Sequence, residues 1–190
     1  DAHSVNETSS NEQEIPMNYF KYFLLMLALA ISPMLHAAKP DFSPQQIKNM
    51  QKAYHYGHSK PLKFNGSRVD FGYIMAAVMW QETSAGINCG TGKHAAGQYQ
   101  NLVTTVKSRM AKDGVNKSRA QITKELQNHN TSAHWARVEM QYWLKTHNGN
   151  LEKALASYNA GWATHKGAGY SRSVIKKANY LKDNNILKVE

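Results

Sequence analysis

Phe71-Gly-Tyr-Ile-Met-Ala-Ala-Val-Met-Trp-Gln81 is apolar around its whole circumference, with no polar stripe at helical or strand spacing. A segment of that kind reads as a helix buried on all sides, the centre of a globular core. Asp70 stands where a cap is expected, and Glu82 follows directly. Thr83 to Gln100 is rich in Gly, Ser, Thr and Asn and reads as a loop. A carboxylate at the end of a buried helix, facing a flexible loop, is placed as a general acid is placed. Apolar walls disfavour the charged form and raise the pKa. Such a group can donate a proton near neutral pH.

Outward from this segment the chain punctuates into short helices. Ser43-Pro44 is an N-cap followed by proline at the first helical position, with Gly57 as the stop. Residues 58–68 read as a loop. Leu102, Val103, Val106 and Met110 recur at helical spacing from about Gln100 to Lys112, and Gly114 ends that helix. Ser118 and Gln121 form a capping box. Thr131 opens a fifth helix carrying Trp135, Val138, Tyr142 and Trp143, stopped by Gly149. Asn150 caps a sixth that ends at Gly161, and a last helix runs from about Ser171 to Asp183. No strand-type alternation persists. The expected class is all-α, one compact domain of about seven helices. Most of the Trp, Met and Tyr residues are expected in its core.

The chain has 190 residues and a formal net charge of +10. Residues 1–38 carry Lys21 against Asp1, Glu7, Glu12 and Glu14, which leaves the remainder with 22 basic and 9 acidic residues. So basic a surface attracts polyanions, either nucleic acid or an anionic cell-envelope polymer. No nucleic-acid-binding pattern is visible, and the wall is the more economical partner. Cys89 stands alone, which excludes an intramolecular disulfide. The nine histidines show no metal-ligand spacing, so neither a metal nor another cofactor is expected.

Residues 17–38 have the three parts of a secretory signal: Lys21 at the start, an apolar run from Tyr22 to Ile31, and small residues at Ala37 and Ala38. The apolar run falls short of the ~20 residues that span a bilayer. Residues 1–16 form a polar, acidic extension ahead of Met17. The expected organisation is therefore extension 1–16, signal 17–38 and a mature domain at 39–190, working in the periplasm or secreted. Contact with the membrane is expected only through the signal segment.

Three separated segments converge on one chemistry. They are Gln81-Glu-Thr-Ser84, Thr91-Gly-Lys-His-Ala-Ala-Gly-Gln-Tyr-Gln100, and Ala156-Ser-Tyr-Asn-Ala-Gly161 followed by Tyr170 and Val174. In this respect the chain resembles the soluble lytic transglycosylase domain of the goose-type, lysozyme-like superfamily. That family shows Glu-Ser, then Ser-x-x-Gly-Ala-x-Gly-Leu-Met-Gln, then Ala-Tyr-Asn-Ala-Gly, then a late Tyr-Val pair. Glu82 matches the catalytic acid, with Thr83 where Ser is usual. Thr91, Ala95, Gly97 and Gln100 match the second motif, while His94, Gln98 and Tyr99 depart from it. Tyr158, Asn159, Ala160 and Gly161 match the third, with Ser157 inserted after Ala156. The resemblance covers about residues 43–182.

It implies a lysozyme-like fold, peptidoglycan glycan strands as partner, and cleavage of the bond between N-acetylmuramic acid and N-acetylglucosamine. Glu82 would protonate that bond and then take a proton from the sugar's own 6-hydroxyl, giving a 1,6-anhydro end without water. Thr83, Thr91, Gly97, Gln100, Tyr158, Asn159 and Tyr170 would bind the substrate. A single acid suits such a mechanism, because Asp113, Glu125, Glu139, Glu152, Asp183 and Glu190 read mostly as exposed helix faces. A hydrolytic muramidase and a non-catalytic glycan-binding envelope module are the alternatives. Secretion, conjugation and phage assembly machines all remain open as settings.

Overall fold

The computed structural model describes residues 39–90, 92 and 94–189. The expected extension and signal segment, and Thr91, lie outside the described residues. Among these residues seven α-helices and two small hairpins form one mostly helical unit from Asp41 onward. The all-α class is as expected. No helix among the described residues is long and apolar enough to cross a membrane.

Helix α1 (Pro44–Ser59) starts as its sequence dictates: Ser43 Oγ accepts from the Gln46 N–H and Gln46 Oε1 accepts from the Ser43 N–H. Gly57 does not stop it. A Cβ there would lie 2.5 Å from the Phe71 carbonyl oxygen, so this glycine lets α1 meet the start of α2. Residues 58–68 are not all loop either. Strands β1 (Leu62–Phe64) and β2 (Ser67–Val69) pair antiparallel around Asn65-Gly66, whose φ angles are 48° and 78°. Asn-Gly with both residues left-handed is the favoured two-residue hairpin turn, and three-residue strands are too short to show alternation.

Helix α2 (Gly72–Thr83) is the buried centre, with every residue from Ile74 to Met79 inside the core. Each of the larger side chains here, Ile74, Met75, Val78 and Met79, contributes roughly 1.5–3 kcal/mol when fully buried. Asp70 is not its N-cap. Phe71 takes that position, and Asp70 Oδ1 accepts from the Gly72 N–H at 2.9 Å. Helix α3 (Val103–Lys112) begins after a hairpin that pairs the short strands β3 (Ala95–Ala96) and β4 (Asn101–Leu102), so Gln100 lies in its turn rather than on the helix. Helix α4 (Arg119–Glu125) has the expected Ser118–Gln121 capping box. Helix α5 (His129–Thr146) starts earlier than Thr131: Asn128 caps it and accepts from the Thr131 N–H. Helix α6 (Leu151–Ala160) is capped by Asn150 as expected. Helix α7 (Thr164–Asp183) starts well before Ser171 and takes in Gly167 and Gly169.

The main core joins α1, α2, α5, α6 and α7. A smaller cluster of Ala96, Val103, Val106, Met110, Ile122 and Leu126 lies under α3 and α4. Helices α6 and α7 meet backbone to backbone: a Cβ on Gly167 would sit 2.0 Å from the Ala156 carbonyl oxygen. Ser171 Oγ also donates to the Glu152 carbonyl at 2.9 Å. Gly169, two residues on, faces open space. The two glycines therefore respond oppositely to a methyl group. Gly169→Ala is expected to raise stability by up to about 1 kcal/mol through helix propensity, whereas Gly167→Ala forces the helices apart and lowers it by about 2 kcal/mol or more. Urea unfolding of the two variants checks the opposite signs.

Candidate active site

Glu82 lies in the last turn of α2, where the chain reverses through Ser84, Ala85 and Gly86 at φ 50°, 58° and 77°. Two of these are not glycine, and each left-handed residue of that kind costs on the order of 1 kcal/mol. Gln100, across the loop, is a third at φ 47°.

Tyr170 Oη donates to Glu82 Oε1 at 2.6 Å. Although Glu82 keeps some exposed surface, enough protein surrounds its carboxyl for burial to dominate. Burial raises its pKa, the Tyr170 hydrogen bond opposes this, and the outcome is pushed up to about 7. Tyr170 and Tyr158 are both held far above the ordinary tyrosine value, first by burial and next by the Glu82 charge, so both remain protonated donors. Their rings stack at 6.4 Å and 25°. Tyr158 Oη in turn donates to the Tyr99 carbonyl at 2.8 Å.

The loop after α2 is tied down by main-chain groups. Thr83 is buried, and its hydroxyl lies 2.8 Å from the Gln98 carbonyl and 3.1 Å from that of Met79, while accepting from the Gly86 N–H. Thr83 therefore clamps the loop to the helix. Gly97, at φ 78°, is packed from within: a Cβ would lie 2.2 Å from the Leu126 carbonyl and 2.5 Å from Ser132 Oγ. Its close approach is to the protein's own α4–α5 junction. Gln100 Nε2 donates to the Gly97 carbonyl at 3.0 Å and the Gly90 carbonyl at 3.3 Å. Asn159 is exposed, next to Tyr158 at the end of α6. His94 is exposed in the loop. The side chains that depart from the family pattern point elsewhere. Gln98 Oε1 accepts from His129 Nδ1 at 2.5 Å, and Tyr99 is fully buried.

On the other side of Tyr158 a cavity of about 110 Å³ opens, lined by Gln100, Asn101, Arg109, Glu139, Tyr158 and Asn159 among others. Glu82 is not part of its lining, and Tyr158 feels the charge of both carboxylates. Glu139 corrects an expectation. Its side chain is 17% exposed and pairs with Arg109 Nε at 2.5 Å, so it belongs to the cavity wall and not to a solvated face. Helix spacing alone gives no hint of this, because its partner sits on α3. Thus Glu82, Tyr170 and Tyr158 come together, while Gln100 and Asn159 meet Tyr158 around the cavity. Thr83 and Gly97 hold the scaffold. Among the described residues no three His, Cys, Asp or Glu side chains gather to hold a metal ion.

Comparison with known proteins places the chain in a family. It is 41% identical over 174 residues to a protein of Enterobacteria phage T4 described as "Uncharacterized 20.7 kDa protein in vs-regB intergenic region", a match covering 87% of this chain and 96% of that relative. The chain belongs to the family of that phage protein. No protein-family model matches the sequence, and no solved structure matches it.

The raised pKa of Glu82 makes stability in this family member depend on pH. The folded chain holds a proton on Glu82 up to about 7, while the unfolded chain releases it near 4.5. The native state therefore binds more protons between those values, and stability falls as pH rises through that window. The full shift corresponds to roughly 3 kcal/mol, an upper bound for a residue with some exposure. Glu82→Gln removes this loss. The variant is expected to match the parent at pH 4 and to exceed it by pH 8, by up to about 3 kcal/mol, in urea unfolding at the two pH values.

Proposed function

We propose that this protein cleaves peptidoglycan glycan strands at the β-1,4 bond between N-acetylmuramic acid and N-acetylglucosamine, by lytic transglycosylation on a lysozyme-like fold. The observation that carries the reading is the Glu82 carboxyl, poised near neutral pH by burial and held by a tyrosine that cannot itself ionise there. With Oε1 engaged by Tyr170, Oε2 presents the proton. Glu82 gives it to the glycosidic oxygen as the bond to C1 breaks, and an oxocarbenium-like centre develops. The resulting carboxylate is stabilised by the Tyr170 O–H and takes the proton from the 6-hydroxyl. O6 then bonds to C1, closing a 1,6-anhydro ring with no water consumed and leaving Glu82 protonated again. Gln100, Asn159 and Tyr158 position the sugars, and the last separates the acid from the neighbouring cavity. Segment 17–38 would export the chain, and the basic domain would concentrate on the anionic wall. A relative in a phage of enterobacteria favours the phage setting over the secretion and conjugation machines.

Hydrolysis by a muramidase is the second reading, favoured by one observation: Glu139 is a second carboxylate in the cavity beyond Tyr158. Mass spectrometry of digested wall separates the two, with anhydro ends for the transglycosylase and reducing ends for the hydrolase. Wall binding with no products would leave a glycan-binding module instead.

Two variants test the acid. Glu82→Gln is expected to abolish wall clearing, by at least about a thousandfold, with the fold retained by circular dichroism; clearing at the parent rate removes Glu82 from the reaction. Tyr170→Phe deletes the contact that lowers the Glu82 pKa, so that pKa rises further. Because the acid must be protonated to act, activity falls as pH rises through its pKa. The alkaline limb of the pH profile is therefore expected to move to higher pH in Tyr170→Phe, with a lower maximal rate.

A further inference from the structure

Trp162 is 72% exposed, the most exposed large hydrophobic side chain among the described residues. Water around so large an aromatic surface is unfavourable, and an exposed tryptophan commonly marks a contact site. It is not loosely held. Gly161, at φ 60°, turns the chain out of α6, and the Trp162 ring meets Trp143 edge to face at 5.0 Å and 81°. Trp143 is itself buried and stacked on His147 at 5.8 Å.

Beside Trp162 a surface depression of about 360 Å³ is lined by Thr104, Thr105, Ser108, Arg109, Glu139 and Tyr142 among others. Arg109, Glu139, Thr105 and Trp143 also line the cavity walled by Tyr158 and Asn159. The two hollows therefore share a wall made of those four residues. Arg109 is held in advance, with Glu139 on one group and the Tyr142 ring 4.1 Å from its guanidinium carbon. A fixed planar donor and a carboxylate acceptor lose little freedom on binding a ligand.

These features match one ligand chemistry. A pyranose ring offers a C–H face that packs on an aromatic ring and an edge of hydroxyls that needs donors and acceptors together. We propose that Trp162, with the Arg109–Glu139 pair, forms a further sugar subsite, on which a ring of the glycan strand stacks away from the bond cleaved at Glu82. The inference rests on the peptidoglycan reading and adds one stretch of the strand's path: over Arg109 and Glu139 to Trp162.

The full chain carrying Glu82→Gln, which cannot turn over substrate, is titrated with the β-1,4-linked hexamer of N-acetylglucosamine by calorimetry, alone and with Trp162→Ala or Trp162→Tyr added. The expected result is at least a fivefold weaker affinity for Trp162→Ala and recovery to within about twofold for Trp162→Tyr, with a cooperative thermal transition kept and lowered only by the loss of the Trp143 edge contact. In the chain with Glu82 intact, Trp162→Ala is expected to raise KM on isolated wall and leave kcat within twofold, as loss of remote, uniform binding does. Hexamer affinity unchanged by Trp162→Ala overturns the subsite while leaving the proposed activity standing. Failure of the Glu82→Gln chain to bind either hexamer or wall overturns both.

Discussion

The contact of α7 on α6 at Gly167 is the constraint from which the site follows. With no side chain at that position the two backbones touch. Tyr158 on α6 and Tyr170 on α7 are then brought into one stack. That stack sets Tyr170 on the carboxyl at the end of α2, which both helices help to bury. A wider crossing would carry Tyr170 away from Glu82 and let water reach the acid. The pKa near 7 is thus a consequence of helix packing more than of any neighbouring charge. The decisive terms are desolvation, which raises it, and a single hydrogen bond, which limits the rise.

The same balance explains why the site is a local weakness of the fold. Burying a carboxyl with one strong donor leaves its ionised form under-solvated, and the chain also turns through left-handed Ser84 and Ala85 just beyond it. The compensation comes from α2 itself, whose apolar residues from Ile74 to Met79 fill the main core. An apolar helix is therefore needed twice over: it supplies the burial that raises the pKa, and it supplies the stability that tolerates the consequence.

Much of this was legible in the order of residues, and the failures have physical causes. The caps at Ser43, Ser118 and Asn150 rely on local hydrogen bonds and were correctly placed. The buried helix ending at Glu82 follows from an unbroken apolar run, and short-range pattern sufficed. Gly57 reads as a stop because isolated propensity disfavours glycine in helices, yet Gly57 and Gly167 lie inside helices where another backbone crosses. That information is tertiary, and it is why α7 starts at Thr164 while its local pattern points to Ser171. The hairpin at residues 62–69 is signalled only by Asn65-Gly66, since its three-residue strands show no alternation. Glu139 could not be found from its own helix, since its burial depends on Arg109 across α3.

The loop between Glu82 and α3 leans on its own main chain. Two of its links to the site are made by carbonyl oxygens: Gln98 accepts from Thr83, and Tyr99 accepts from Tyr158. Any residue supplies a carbonyl, so these links place little demand on the side chains at 98 and 99. Those side chains face the interior instead, where Gln98 engages His129 and Tyr99 fills the core. Gly97 does place a demand, because a methyl group there would strike Leu126 and Ser132. The side chains of Gln98 and Tyr99 thus set the packing behind the loop, while their carbonyls make the contacts toward Thr83 and Tyr158.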